Sequence, residues 1–368
     1  MEKTNSTNHS EIDGYVAAAR SIVPELAKTS AASELARQLD SAALRTMRNA
    51  GLNRLLVPKR YGGLELPIRA QLYTCRETAR GCSATSWVQM VCGAHDFVLG
   101  GFSDECLREV FAEGPDVLVP GTLSAQGTVH RTPGGWLLEG RWQFCSGVDL
   151  SPWIMIGSRQ IDAERDPEPW GAVHLILRKE DIEVDDTWHV LGMRGTGSKD
   201  IVAKGAFVPL RRSMPTVPLF TGVSPHASSP VYRLPVLPAL ASMVAATILG
   251  VAERGYEVFL ERTRVRKDVY VGDAKAASAG IQRRIAEARS ELDAASHLQA
   301  GPWGLGTPAA TARVGFNPRI AWLAVAQTPG AHELRTRRDG WWPHPPGSRP
   351  REPWAGRGRP TNDRPGRL

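Results

Sequence analysis

The local pattern of this chain changes twice, and the two changes restrict the folds open to it. Residues 11–112 carry helical spacing, Val117–Pro209 carries short β-rich runs between turns, and helical spacing returns from Leu234. In the first part, Ser33–Ala50 sets Leu35, Leu39, Leu44 and Met47 near one helical face. Ser33 is the expected N-cap, and Gly51 stands where a C-cap glycine belongs. Further helices are expected over Arg69–Arg80, Ala84–Leu99 and Asp104–Ala112. In the second part the runs are Val117–Pro120, Thr128–Arg131, Trp136–Phe144, Trp153–Ser158, Gly171–Leu177 and Ile201–Val208. Thr132-Pro133-Gly134-Gly135 reads as a hairpin turn, and the spacing predicts an antiparallel barrel or sandwich. The class is α+β: a helical domain over 1–115, a β domain over 116–225 and a partial helical bundle over 226–300.

Leu234–Ala252 holds 19 residues without a charge, a length that permits a membrane span. Pro235, Pro238 and Gly250, the many alanines and the absence of a one-sided basic flank predict a buried bundle helix instead. A second amphipathic helix is expected over Ile281–Leu298, with Ile281, Ile285, Ala288 and Leu292 on one face.

The net charge of +7 belongs to residues 301–368, which hold 11 Arg, no Lys and 4 acidic residues; residues 1–300 balance to zero. A neutral folded part argues against a nucleic-acid partner. Those last residues also hold 11 of the 27 Pro and 5 of the 11 Trp without a lasting period. This mixture is what a high-GC gene gives when read out of frame, so a frameshifted or disordered tail is expected there. The five cysteines are odd in number and form no CxxC, against a disulfide framework or a zinc site, and no metal is expected. No basic segment leads into an apolar run at the N-terminus, and a cytoplasmic location is expected.

Two stretches carry the chemistry: Gly140-Arg141-Trp142-Gln143-Phe144-Cys145-Ser146-Gly147 and Leu191-Gly192-Met193-Arg194-Gly195-Thr196-Gly197-Ser198. Each sets glycines and small or hydroxyl residues at a strand end beside an aromatic or an Arg. That suits a flat, polar-edged ligand such as a flavin. A phosphate loop does not fit the second stretch, because Ser198-Lys199 reverses the required Lys-Ser/Thr order and no helix pattern follows. On the residues alone, Ser146-Gly147 is a strand-end turn, and Trp142 and Phe144 are inward core residues of a strand. A lone helix histidine such as His95 is ordinarily a satisfied core residue. The cluster Arg262, Arg264 and Arg266 reads equally well as a solvated face.

Taken together, LLVPKRYGG (Leu55–Gly63), GCSATSWVQMVCGAH (Gly81–His95), TPGGWLLEGRWQFCSGVDLSPWIMIG (Thr132–Gly157) and WHVLGMRGTGSKDIVAKGAFVP (Trp188–Pro209) give the chain a likeness over residues 10–298. It resembles the acyl-CoA dehydrogenase fold and, more narrowly, the flavin-dependent monooxygenases built on it. These are the oxygenase components of two-component aromatic and polyketide hydroxylases. The resemblance implies reduced flavin (FMNH2, with FAD as the alternative) and O2, a flavin C4a-hydroperoxide, and a phenolic or polycyclic aromatic substrate. A separate NAD(P)H:flavin reductase and a homo-oligomer, tetramer or dimer, are implied as partners.

By the same resemblance Ser146 meets the flavin N5, and His95 stands beside the substrate phenol. Trp142, Phe144 and Cys145 wall the isoalloxazine with side chains and backbone; Arg194, Thr196, Gly197 and Ser198 line the flavin and substrate cavity; Arg262 reaches the flavin phosphate. The family's last bundle helices, with a second active-site histidine, correspond to the unusual tail here. An FAD-dependent dehydrogenase would need a catalytic Glu late in the chain, and none can be assigned. An amine N-hydroxylase of the same fold and an inactive truncated relative are the remaining alternatives.

Overall fold

The computed structural model describes residues 2–161, 171–224, 226–227, 229–267, 272 and 274–300. The expected tail over 301–368 lies outside the described residues. The N-terminal part consists of α1 (Glu2–Ser21), α2 (Val23–Ala36), α3 (Ser41–Asn49), α4 (Ile68–Gly81), α5 (Ser83–Leu99) and α6 (Asp104–Val110). The strands are β1 (Gly121–Thr132), β2 (Gly135–Cys145), β3 (Trp153–Gln160), β4 (Ala172–Arg178), β5 (Glu183–Asp185), β6 (Lys199–Pro209) and β7 (Ser213–Pro215). The chain continues through α7 (Val217–Thr221), α8 (Val236–Val265) and α9 (Ala279–Ala300).

The single amphipathic helix expected over Ser33–Ala50 is two helices. Arg37 takes a left-handed conformation (φ 55°), which ends α2. Ser33 is therefore no N-cap: it lies in the last turn of α2, where its Oγ accepts the Asp40 N–H at 3.0 Å. Asp40 caps α3 instead, its carboxylate accepting the Ala42 N–H at 2.7 Å. Leu35 is left 82% exposed, while Leu39 and Met47 are buried. Gly51, with φ 70°, follows α3 as expected.

The hairpin turn falls where the sequence sets it, with Thr132 paired to Gly135. The sheet order is β5-β6-β2-β1-β3-β4-β7. It is mixed rather than wholly antiparallel, because β1 and β3 run parallel. The reason is local. β2 ends beside the start of β1, where Gly121 bridges Ser146. The chain turns over 146–152 and re-enters on the other side of β1, with Gly121 opposite Met155. A strand entering at that end must follow the direction of β1. Edge strands β5 and β7 were not anticipated from the sequence, since three-residue segments carry almost no alternation.

The sheet has two buried faces. Trp153, Met155 and Ile176 pack into the helical core with Phe97, Phe102 and Met243. Trp136, Trp142, Ile154, Ile156 and Leu175 enclose a second core on the other face. By length and composition α8 could cross a membrane. It packs instead along α4 and α5, with Arg76 paired to Glu253 and Arg80 to Glu257. Gly250 allows the close approach, since a Cβ there would lie 2.0 Å from the Arg76 carbonyl oxygen. The apolar stretch of α8 is only partly buried, and Leu237 stands exposed.

Candidate active site

The corner where β1 and β3 begin and β2 ends opens into a cavity of about 510 Å³. That volume is within the range of ligand pockets, about 300–1,000 Å³. One face of α5 supplies Trp87, Met90, Val91, Ala94 and His95, spaced by three and four residues as a single helical stripe requires. The start of β1 adds Gly121–Ser124, the end of β2 adds Phe144 and Ser146, and α8 adds Leu240 and Val244. Trp188, Met193, Thr196 and Ser198 come from the loop before β6 and its first turn. The two stretches singled out in the sequence therefore meet at one site. Their backbones are joined directly, the Gly147 N–H donating to the Thr196 carbonyl at 2.9 Å.

The polar groups of the cavity are few and ordered. Ser146 is buried, and its Oγ accepts from Trp87 Nε1 at 3.1 Å. The Ser146 and Ser198 hydroxyls are 2.7 Å apart, as are those of Ser198 and Thr196. Thr196 Oγ1 donates to the Met193 carbonyl at 2.9 Å. His95 is buried, with Nδ1 2.6 Å from the Val119 carbonyl. A carbonyl only accepts, so Nδ1 carries the proton and Nε2 is a lone-pair acceptor. Burial, helped by the nearby charge of His174, lowers the His95 pKa to about 4, so the ring is neutral near pH 7.

The bulge at the end of β2 decides which side chains face the cavity. Trp142 pairs with Ile201 and Cys145 with Lys199, so three steps on β2 oppose two on β6. Phe144 takes up the extra residue in a left-handed conformation (φ 63°). Its ring turns to the cavity, where it meets Trp188 edge-on with centroids 6.1 Å apart.

The side chains of Trp142 and Cys145 point the other way, a correction to the expectation that these side chains wall a ligand. Both are fully buried in the sheet core, with Trp142 Nε1 donating to the Gly157 carbonyl at 2.6 Å. Burial pushes the Cys145 thiol up to about 12, leaving it unreactive. Gly197 packs toward α2 rather than the cavity, since a Cβ there would come 3.1 Å from the Arg37 carbonyl oxygen. Arg194 acts first through its backbone: its N–H and that of Gly195 donate to the two carboxylate oxygens of Glu34 at 3.1 and 3.2 Å. The Arg194 Nε is buried with no hydrogen-bond partner among the described residues. Arg262 is exposed in the last turn of α8 and does not line the cavity.

Two contributors escaped the sequence reading. Trp87 was within reach of it, being eight residues before His95 on the same helical face. Glu34 was not, because nothing local ties it to a loop 160 residues away. Of the remaining histidines, His174 is buried and structural, its Nε2 2.9 Å from the Leu123 carbonyl oxygen.

Comparison with known proteins agrees with this geometry. The family model described as acyl-CoA dehydrogenase, N-terminal domain matches residues 15–104, and the C-terminal domain model matches 242–302. XiaF from Streptomyces sp., solved in complex with FADH2 and glycerol, superposes with a TM-score of 0.76 at 25% identity, over 88% of this chain and 84% of that one. The oxygenase subunit HsaA of a flavin-dependent monooxygenase from Rhodococcus jostii is 28% identical over 278 residues, 74% of this chain and 72% of that protein. In sequence and in fold this chain is similar to the flavin-dependent monooxygenases of the acyl-CoA dehydrogenase fold. The oxygenase component of p-hydroxyphenylacetate 3-hydroxylase from Acinetobacter baumannii is 27% identical over 77% of this chain and 67% of its own length. Relatives named for p-hydroxyphenylacetate and resorcinol are described as oxygenase components, and a third is named an indole-3-acetate monooxygenase.

Proposed function

We propose that this monooxygenase binds reduced flavin with its N5 edge at Ser146 and hydroxylates a phenolic or polycyclic aromatic metabolite, a polyketide among the candidates, held against His95. One observation carries the reading: the Ser146 hydroxyl and the acceptor nitrogen of a neutral His95 belong to the same apolar cavity. The cavity suits a flavin. Its walls are aromatic and aliphatic, and its hydroxyls lie together in one cluster. Bound reduced flavin would supply the oxygen-activating chemistry that inserts one atom of O2 into the substrate ring.

The residues of the chain do the rest. Phe144, Trp188 and Leu240 exclude water from the reacting edge. Ser146 accepts a hydrogen bond there. His95 Nε2 accepts the hydrogen bond of a substrate hydroxyl, which raises the electron density of the ring being attacked. Thr196 and Ser198 hold Ser146. Trp142, Cys145, Gly197 and Arg262 have no contact with the ligand in this reading.

FMN is the preferred flavin and FAD the alternative; XiaF, solved with FADH2, keeps the second in play. A separate NAD(P)H:flavin reductase supplies the reduced cofactor, as the component naming of the relatives suggests. The exposed apolar side of α8, with Leu237, favours a homo-oligomer. Five buried free thiols suit a reducing cytoplasm. The test mixes the purified protein with FMNH2 or FADH2 and O2 beside a panel of phenols. A hydroxylated product formed without an added nicotinamide supports the reading, and stoichiometric H2O2 with every substrate rejects it.

A further inference from the structure

The Ser146–Ser198–Thr196 hydroxyls form a chain whose direction the structure fixes at both ends. Thr196 Oγ1 lies 2.9 Å from the Met193 carbonyl oxygen, which can only accept, so the single Thr196 proton is committed there. The 2.7 Å contact between Thr196 and Ser198 must then use the Ser198 proton. The 2.7 Å contact between Ser198 and Ser146 must in turn use the Ser146 proton. At the other end Trp87 Nε1, a donor only, points at Ser146 Oγ from 3.1 Å. Ser146 is left with no proton to give and one lone pair to offer.

The terminus of the chain is itself held. Met193 takes a left-handed backbone conformation (φ 60°), and its carbonyl also accepts the Trp188 Nε1–H and the Thr196 backbone N–H, each at 3.2 Å. Three donors converge on that oxygen, so it does not turn away to release Thr196. The Glu34 carboxylate fixes the same turn from outside through the Arg194 and Gly195 N–H groups.

We propose that Thr196 and Ser198 are positioning residues that make Ser146 an obligate acceptor, and that the site thereby selects reduced over oxidised flavin. This rests on the flavin reading given above. Reduced flavin carries a hydrogen on N5 and donates to Ser146. Oxidised flavin has only a lone pair on N5, and that lone pair meets the lone pair of Ser146. The preference for the reduced state is then written into proton positions three side chains deep.

The experiment titrates the full-length protein anaerobically with FMN and FAD, each oxidised and each dithionite-reduced, following quenching of the tryptophan fluorescence. Wild type binds the reduced form more tightly. In Thr196→Val the chain loses its terminus, Ser198 is free to donate to Ser146, and the Ser146 proton can turn to the cavity. Ser198→Ala frees the same proton directly. In both, the ratio of oxidised to reduced Kd falls about tenfold, which lowers the two-electron potential of the bound flavin by about 30 mV, while Thr196→Ser keeps the wild-type ratio. A ratio unchanged in both Thr196→Val and Ser198→Ala overturns the proposal, as does a parallel loss of affinity for both redox states, which is the mark of a merely structural role. If wild type binds flavin without redox preference, the selection fails while the flavin site stands. If it binds neither form, the flavin reading falls as well.

Discussion

Trp87 on α5 and Ser146 at the end of β2 are joined by a hydrogen bond of 3.1 Å between Nε1 and Oγ. It ties the helical layer to the sheet at the point where the cavity opens, and it spends one of the two lone pairs of the serine. Replacing Trp87 with Phe keeps most of the apolar wall and removes the donor. The expected cost is about 1 kcal/mol of stability, with a larger share of reducing equivalents lost as H2O2 because Ser146 gains rotational freedom. Chemical denaturation and a peroxide assay measure the two effects.

Glu34 anchors the turn that carries Thr196. Glu34→Ala leaves the Arg194 and Gly195 N–H groups without their carboxylate partner. Stability should drop by about 1–3 kcal/mol, and flavin affinity should weaken although Glu34 does not line the cavity. Glu34→Gln keeps one acceptor oxygen and should fall between the two. Thermal unfolding with and without flavin follows both quantities.

His95 and His174 are both buried, and burial lowers each pKa from 6.5 to about 4. Below pH 6.5 the unfolded chain binds more protons than the folded one. Stability is therefore complete above about pH 6.5 and is lost as the pH falls toward 4, by on the order of 3 kcal/mol for each ring. Denaturation curves from pH 7 to 4 should slope accordingly. His95→Gln should remove part of the slope and also lower the hydroxylation rate; His174→Gln should flatten the slope in the same way.

Gly121 must remain glycine. Its φ is 139°, and a Cβ there would lie 1.8 Å from the Met155 carbonyl oxygen. Gly121→Ala forces β1 away from β3 and disturbs the bridge to Ser146. A loss exceeding about 2 kcal/mol is expected, together with reduced flavin binding. Equilibrium unfolding that matches wild type would refute this account of the corner.

Much of the site was legible because its signals are local. The Thr132–Gly135 hairpin, α4 to α6 and the two small-residue stretches follow from periodicity and turn chemistry, which depend on neighbours in sequence. His95 and Ser146 could be paired only through the resemblance, and the fold brings both to one cavity. The alternation that marks Trp142 as an inward core residue holds, but it carries Phe144 inward with it because it assumes an unbroken pleat. The bulge that gives the extra position to Phe144 is a property of the pairing with β6.

Sequence alone determined the order of helical, strand and helical segments and the presence of two flavin-like stretches, since these rest on short-range pattern. Tertiary structure decided the parallel pairing of β1 with β3, the aim of Phe144 into the cavity, the Glu34 anchor and the direction of the Ser146 hydroxyl chain. Each of these depends on partners distant in sequence, and on hydrogen-bond donors and acceptors whose roles are fixed only once the chain has brought them within reach.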